Sequence, residues 1–281
     1  MKKEIFVLTI KPFECPEDPM YVPMVAGAAV FDTKYPENYV LDNTGDNISE
    51  KNRPYSEFTA TYWIWKNAQC DTVGINHYRR YFIRGGWMAY FLSLASGKFF
   101  QKKRLRGIDV DRIFSKGINC ILPKKQFRLF HTMQEEFEIY HSKTLLEDTE
   151  AIIRETQPQY LKTYRQVMDG YENYLKCNCI LPKYLYDKYC EWMFGIFSEL
   201  EKKGYGKTFR EFAFLGERLM NVWFEFHKSV GVIKAKELFY VNTDYRLKNI
   251  LKNDTEVILP KCMKGPLKLY RKILKKAKGI E

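Results

Sequence analysis

The residues best suited to chemistry form a short segment, His77–Phe82, that directly follows an apolar run at residues 72–76. Two adjacent arginines, Arg79 and Arg80, stand between tyrosines in this segment. Guanidinium groups bind diphosphate oxygens in a bidentate fork, and when held in place they stabilise charge that develops in a reaction. The alternative is that both arginines lie in solvent and bind no ligand. We expect Arg79 and Arg80 to contact an anionic ligand.

A second polar segment, residues 44–52, is dense in turn formers directly ahead of a predicted helix. Gly45 would let the backbone approach a ligand, and Asp46 and Asn47 could hydrogen-bond a ribose or a base. The alternative is a loop that caps the helix with its own side chains. Asp42 and Asp46, four residues apart, could also bind Mg²⁺ or Mn²⁺ together with phosphates.

A carboxylate and a guanidinium, Glu217 and Arg218, interrupt the apolar pattern of a predicted helix at Phe212–Phe226. Such a pair usually lies on a solvated face. A glutamate at the inner edge of a helix that borders a cleft could instead take a proton from a hydroxyl group, as a general base does.

Alternating strand and helix patterns predict the scaffold that positions these segments. Strands are predicted at residues 4–10, 72–76, 118–122 and 175–181, and helices at residues 54–65, 182–200 and 212–226. The alternation indicates one α/β domain with a mostly parallel sheet flanked by helices. In such sheets ligands bind beyond the carboxyl ends of strands, which is where Arg79 and Arg80 fall.

Composition narrows the class of protein. The chain has 281 residues, 46% of them hydrophobic and 16% aromatic, so it can bury a large core and is not disordered. No apolar run reaches the roughly 20 residues of a spanning helix, and the first apolar run resembles a buried strand more than a signal peptide. We therefore expect a cytoplasmic protein.

The cysteines do not form a recognisable framework. There are seven, an odd number, with no C-x-x-C pair, which argues against disulfides and against a structural zinc site. Cys177 and Cys179 have the spacing of neighbours on one face of a strand, and we expect them to pack there.

The net charge of +12 predicts an anionic partner, and much of it is concentrated at one end. From Lys261 to Glu281 there are eight Lys or Arg against one Glu. Apolar residues at positions 267, 270, 273 and 274 would share one side of a helix, with the bases on the other. We predict a main domain at residues 1–258 and a basic amphipathic helix at residues 259–281, the tail, which docks on anionic membrane through Lys264–Lys278. A disordered solubilising end is the alternative.

Three blocks of the sequence resemble a bacterial capsular and exopolysaccharide glycosyltransferase family long described as a domain of unknown function. They are Asp42–Asn52, Tyr62–Asn67 and Gly74–Phe82, in this order and spacing. Further blocks at residues 121–125, 189–194 and 214–223 extend the resemblance over roughly residues 4–227.

The resemblance implies a GT-A-like fold and a hexosyltransferase that moves a sugar from a UDP-sugar to a lipid-linked glycan during capsular, exopolysaccharide or O-antigen synthesis. Because some relatives are associated with galactofuranose transfer, galactose and galactofuranose are the expected sugars. The protein would then lie on the inner face of the plasma membrane. Arg79 and Arg80 would replace the metal that many such enzymes use, so no cofactor is expected, with Mg²⁺ or Mn²⁺ as the alternative.

Carried onto this sequence, the resemblance gives each candidate residue a role. Donor contacts are assigned to Lys11, Thr44, Asp46, Asn47, His77 and Tyr78. Catalysis is assigned to Glu217, Arg79 and Arg80, and acceptor contacts to His141, Asn178 and Arg218. The chain departs from the family pattern in two places, since Thr9–Pro12 replaces a Cys-His-Lys-like stretch and Thr144-Leu145 replaces an Asp-Leu pair.

Two other functions compete with this interpretation. One is a non-catalytic partner that binds a nucleotide-sugar for another transferase. The other is RNA binding, which a basic chain with many aromatic residues suggests. Against RNA, the bases of the tail surround an apolar stripe, and residues 98–128 contain no recognisable nucleic-acid module. We therefore expect no nucleic-acid partner.

The tail can be tested by removing it. Deleting Lys264–Glu281 should release the protein from anionic liposomes, because each base near such a surface contributes about 1 kcal/mol of binding free energy. Donor binding should be unchanged. Co-sedimentation measures the difference, and equal pelleting of both forms would show that the tail is a solubilising end.

Overall fold

The computed structural model describes residues 1–128, 131–174 and 177–243. The predicted amphipathic helix at residues 259–281 and the domain boundary at residue 258 lie outside this part of the chain. Every helix within these ranges is too short or too polar to span a lipid bilayer.

Eleven strands are present in the described ranges. They are β1 (Lys3–Thr9), β2 (Tyr21–Val25), β3 (Val40–Leu41), β4 (Thr72–His77), β5 (Arg80–Phe82), β6 (Cys120–Pro123), β7 (Gln126–Phe127), β8 (Glu172–Asn173), β9 (Cys179–Pro182), β10 (Ala235–Leu238) and β11 (Tyr240–Asn242). The Val- and Ile-rich runs predicted at residues 4–10, 72–76 and 118–122 correspond to β1, β4 and β6.

The described helices number ten, besides 3-10 turns at Ser49–Lys51 and Pro158–Tyr160. They are α1 (Asn52–Tyr55), α2 (Phe58–Asn67), α3 (Trp87–Ala95), α4 (Gly97–Lys103), α5 (Gly107–Phe114), α6 (Met133–Tyr140), α7 (Lys143–Thr156), α8 (Leu161–Met168), α9 (Lys183–Lys202) and α10 (Glu211–Ser229). The helices predicted at residues 182–200 and 212–226 are confirmed as α9 and α10.

The main sheet is mixed, with a mostly parallel centre, as predicted. Its strand order is β10-β6-β9-β4-β1-β2-β3, and β5 and β11 extend from β4 as an antiparallel pair. The pairs of β1 with β2 and β4, of β2 with β3 and of β6 with β10 are parallel. The reversed strand β9 separates the two parallel groups.

Helices cover both faces of this sheet. On one face Phe6 and Leu8 of β1 pack in a large core with α2, α9 and α10. On the other face Ile5 and Val7 pack in a smaller core with β5, β11 and residues of α4 and α5. The alternation of β1 side chains between two cores is the two-residue period of a strand buried on both sides.

Two details differ from the sequence prediction. The helix expected over residues 54–65 is broken, because Ser56 has a φ of 49° and separates α1 from α2. The side-chain Nδ2 of Asn52 donates to the Ser56 carbonyl and to Thr59 Oγ1, and these two bonds stabilise the break. Strand β9 begins at Cys179, since Cys177 takes a left-handed φ of 57° that a strand cannot contain. Both cysteines are buried in the large core, but the prediction that they share a strand face is wrong, because Cys177 precedes the strand.

Glycine at position 216 is required by the contact between α10 and α2. A Cβ at Gly216 would lie 2.4 Å from Cζ of Phe58, a ring that is fully buried. Gly216→Ala should therefore destabilise the protein by about 1–3 kcal/mol, measured by urea unfolding. The matched control is Gly195→Ala on α9, where a Cβ would meet open space and should raise stability by up to about 1 kcal/mol. Equal effects of the two substitutions would contradict this packing.

Candidate functional site

A pocket of about 240 Å³ opens where the carboxyl ends of β1, β2 and β4 meet. The chain leaves β1 toward β2 on one side and later returns to β4 on the other, so the strand order reverses at this point. A crevice forms at such a switch point in open α/β sheets and is the usual place for a ligand. The pocket therefore lies where the sequence predicted chemistry.

The lining of the pocket is strongly basic. Within the described residues it has three arginines, Arg79, Arg80 and Arg210, and one carboxylate, Glu57. The remaining walls come from the ends of β1 and β2 and from the turn between α1 and α2, namely Leu8, Thr9, Ile10, Ala26, Asn52 and Ser56, together with His77 and Tyr78. The excess of guanidinium groups makes the pocket suited to an anion.

The arginine segment is a tight turn tied to the sheet on both sides. His77 at the end of β4 pairs with Arg80 at the start of β5. Within the turn, the Tyr78 amide donates to the Leu8 carbonyl over 3.0 Å, and the Arg79 amide donates to His77 Nδ1 over 3.2 Å. The Arg79 carbonyl accepts from the Thr243 amide over 2.7 Å. This backbone is fixed before any ligand binds.

Two cationic side chains contact the ring of Tyr78, which lines the pocket. Lys11 Nζ lies 5.4 Å from the ring centroid, and the Arg79 guanidinium lies 5.0 Å from it. His77 stacks on the same ring with 4.5 Å between centroids. The structure thus brings Lys11, His77, Tyr78 and Arg79 together, although Lys11 does not line the pocket, and their roles in binding stay predictions.

Arg210 and Glu57 were missed by the sequence prediction. Arg210 has a φ of 58° at the start of α10, and its guanidinium lies 3.7 Å from the Glu57 carboxylate. Its backbone amide donates to the Arg53 carbonyl, which fixes this end of α10 against α1. Arg210 is more than 120 residues from Arg80 in the chain, so no local pattern could have indicated that they share a pocket.

The predicted donor contacts Thr44, Asp46 and Asn47 do not line the pocket. Trp63 Nε1 donates to Thr44, and the Tyr62 hydroxyl donates to Asp46 Oδ1 over 3.1 Å. Asn47 bonds within its own turn, to the Gly45 carbonyl and the Ser49 amide. A Cβ at Gly45 would meet Asn67 at 2.2 Å, so the close approach that this glycine allows is to α2. The segment is a loop fastened to α2.

The Asp42 carboxylate is committed to the fold. It is fully buried and accepts from the Gly27 amide over 2.7 Å, the Ala28 amide over 2.8 Å and the Ser49 hydroxyl. These bonds shape the loop after β2. No cluster of three or more His, Cys, Asp or Glu side chains suited to a metal ion occurs within residues 1–128, 131–174 and 177–243.

Glu217 lies between two pockets on one face of α10. Positions 214, 217 and 221 follow the spacing of a single helix face, and Arg210 directly precedes the helix. Arg210 at one end lines the arginine pocket, and Asn221 at the other end lines a second pocket of about 520 Å³. Glu217 itself is 8% exposed and lines neither. The rise of a helix sets its Cα roughly 10 Å from that of Arg210.

The second pocket has a mixed lining. Its walls include the aromatic rings of Phe127 and Tyr171, the carboxylates of Asp169, Glu172 and Glu225, and the polar groups of Lys125, Thr163, Gln166 and Asn221. Lys125 Nζ lies 3.0 Å from Glu225 Oε2. Burial alone would raise the pKa of Glu225, but Lys125 and Lys228 lower it below its usual value. Rings beside carboxylates and amides suit a polyhydroxylated ligand.

Arg218, a predicted acceptor contact, is buried in an ion-pair network. Its guanidinium is 1% exposed and donates to Glu136 Oε2 over 3.1 Å, with Glu217 Oε2 at 3.8 Å. The other oxygen of Glu136 lies 2.8 Å from Arg128. Burial lowers the pKa of Arg218, while the two glutamates act in the opposite direction. The geometry gives Arg218 a part in holding α10 against α6.

The other two predicted acceptor contacts also lie apart from both pockets. His141 packs between Phe137 and Phe214, with ring centroids 5.0 and 4.8 Å away, and burial lowers its pKa. Asn178 is 1% exposed, one residue before β9. Its amide atoms have no hydrogen-bond partner among the described residues. The structure does not bring His141, Asn178 and Arg218 to one surface.

Comparisons with known proteins give a family and a similar solved structure. Residues 4–229 match a family described as a domain of unknown function (DUF4422). A solved apo structure of WbbM, a bifunctional glycosyltransferase, is similar to this chain with a TM-score of 0.68 and 24% identity. The match covers 85% of this chain and 45% of that one, so the chain spans less than half the length of WbbM. At this identity the likeness establishes the fold. A search of curated proteins found no significant relative.

Proposed function

The chain belongs to the DUF4422 family, and we propose that it is a glycosyltransferase that moves a sugar from a UDP-sugar to a lipid-linked glycan. The observation that carries the proposal is the pocket at the strand switch point, where three arginines face one carboxylate. Such a pocket suits the diphosphate of a nucleotide-sugar. The fold shared with a bifunctional glycosyltransferase supports the same conclusion.

The size of the pocket indicates which part of the donor it would hold. At about 240 Å³ it is slightly smaller than typical ligand sites of roughly 300–1,000 Å³. It therefore suits the diphosphate and one adjoining ring better than a whole nucleotide-sugar. The sugar would project along α10 toward Glu217.

The arginines would do the work of a metal ion in this proposal. As the bond between the sugar and the diphosphate breaks, negative charge grows on the leaving UDP, and Arg79, Arg80 and Arg210 would stabilise it without reorganising. Glu57, 3.7 Å from Arg210, would orient that guanidinium. A metal held by Asp42 and Asp46 does not fit, because the Asp42 carboxylate already accepts three bonds from the protein.

Glu217 is our candidate for the general base. Along the chain it lies between Arg210, which lines the arginine pocket, and Asn221, which lines the second pocket. In this proposal the second pocket holds the acceptor glycan. Glu217 would take the proton of an acceptor hydroxyl as that oxygen attacks the anomeric carbon and UDP leaves. The family resemblance favours galactose or galactofuranose as the sugar, a surface polysaccharide as the product and the inner face of the plasma membrane as the location.

The donor proposal predicts selective stabilisation and metal-independent turnover. UDP at about 100 times its dissociation constant should stabilise the protein by roughly 2.7 kcal/mol, visible as a thermal shift that GDP and CMP do not produce.

Arg79→Ala and Arg80→Ala should each lower turnover by about 10² or more, and excess EDTA should leave wild-type turnover intact. Arg112→Ala, an exposed arginine on α5, is the control. Activity lost in EDTA and restored only by Mg²⁺ or Mn²⁺ would contradict the proposal that the arginines replace a metal ion.

The proposed base can be tested separately. Glu217→Gln keeps the shape of the side chain and removes its basicity, so turnover should fall by about 10² or more while UDP affinity changes little. Glu191→Gln, at an exposed site on α9, should leave both quantities unchanged. Wild-type turnover in the Glu217 variant would assign the proton transfer to another group. Binding of UDP without turnover in the wild-type protein would favour a non-catalytic partner.

A further inference from the structure

Helix α3 turns an apolar face toward solvent. Met88, Phe91 and Leu92 are 73%, 54% and 42% exposed, and Ala95 is exposed beside them. These four positions have the spacing of one helix face. A surface helix ordinarily places polar residues outward and apolar residues inward. A single exposed leucine needs no explanation, but a continuous apolar stripe marks an interaction surface.

The orientation of α3 is fixed from the inside. Trp87 and Tyr90 pack against Phe239, with ring centroids 4.7 and 4.8 Å away. Ala89 and Ser93 are buried on the same inner side. Rotating the helix to hide its outer stripe would break these contacts. The exposed face is therefore a stable feature of the fold.

The chain around this helix is basic. Residues 72–108 contain eight Lys or Arg and no Asp or Glu. Ser96 caps α4, the helix that follows α3, and its hydroxyl accepts from the Phe99 amide. Lys98 and Lys102 of α4 are exposed. An apolar stripe next to exposed lysines is the pattern of a helix that lies in the interface of an anionic bilayer.

We propose that Met88, Phe91, Leu92, Ala95, Lys98 and Lys102, the α3–α4 surface, dock the protein on an anionic lipid bilayer. The four apolar side chains enter the boundary between headgroups and acyl chains, and the lysines contact lipid phosphates. A second copy of this chain is a poorer occupant, because pairing the two surfaces would bring two sets of like charges together. Nucleic acid would use the bases and leave the apolar stripe in water.

The docking surface lies close to the arginine pocket. Six residues of chain separate Arg80 from Trp87, so the two are within roughly 25 Å even if that chain were fully extended. Docking would hold the pocket near the bilayer. The surface and the tail would act as two weak contacts on one membrane, and losing either would release the protein. The inference concerns the surface and does not depend on which reaction the pocket performs.

Vesicle binding of the full chain tests the surface without any substrate. Wild-type protein should bind vesicles of phosphatidylcholine mixed with phosphatidylglycerol, and bind phosphatidylcholine alone at least ten-fold more weakly. Replacing three exposed side chains, Met88→Gln with Phe91→Gln and Leu92→Gln, should lower the partition coefficient at least ten-fold. Lys98→Gln and Lys102→Gln should lower it roughly five-fold for each base removed.

The control pair is Val230→Ser with Val232→Ser, which are 55% and 45% exposed on another part of the molecule. It should bind vesicles as the wild type does, and all variants should keep the wild-type unfolding temperature. Equal partitioning of the triple variant and the wild type would overturn the proposal, as would wild-type protein that stays off anionic vesicles. A change from dimer to monomer in the triple variant, seen by light scattering, would assign the face to self-association instead.

Discussion

The architecture depends on the hydrogen-bond ladder of β4. This strand pairs in parallel with β1 on one side, antiparallel with β9 on the other, and at its last residue with β5. Gly74 makes the close packing possible, since a Cβ there would lie 2.8 Å from Ile5 and 3.0 Å from Ile180. Because every neighbour is registered against β4, the position of the His77–Arg80 turn follows from the sheet. The backbone of Arg79 and Arg80 is therefore held in place by the sheet.

Electrostatics divides the charged residues into two groups. Asp42 and Glu136 are engaged by the fold, since the buried Asp42 binds loop amides and the partly buried Glu136 pairs with Arg128 and Arg218. An unpaired buried charge would be costly, so these groups cannot easily be released for a ligand. In the arginine pocket the balance is different, because three arginines and a single carboxylate, Glu57, line it among the residues that the structure describes. An anionic ligand would balance the excess of positive charge among these lining residues.

The sequence predicted what local patterns control and missed what the tertiary structure controls. Periodicity identified β1, β4, β6, α9 and α10, because these depend on neighbours in the chain. The position of Arg79 and Arg80 after a strand placed them at the candidate pocket, which they line. The break at Ser56 depends on a hydrogen bond from Asn52, and Arg210 reaches the pocket only through packing of α10 on α1. Helix α3 was not predicted as a surface, since an apolar run looks the same whether it faces a core or a membrane.

In the proposed reaction, helix α10 would set the separation of the donor and acceptor sites. Its residues from Phe212 to Phe224 are almost all buried, and Asn221 binds both backbone groups of Tyr174, so the helix cannot shift without breaking these contacts. A helix held this way fixes the separation of the side chains along its face. Glu217 then has a constant position relative to Arg210 and Asn221, whatever occupies the pockets. A transfer reaction needs this property, because donor and acceptor must meet at one point in a defined geometry. A general base on a loop would have to be ordered at each turnover, whereas Glu217, the proposed base, lies on a helix that is already packed.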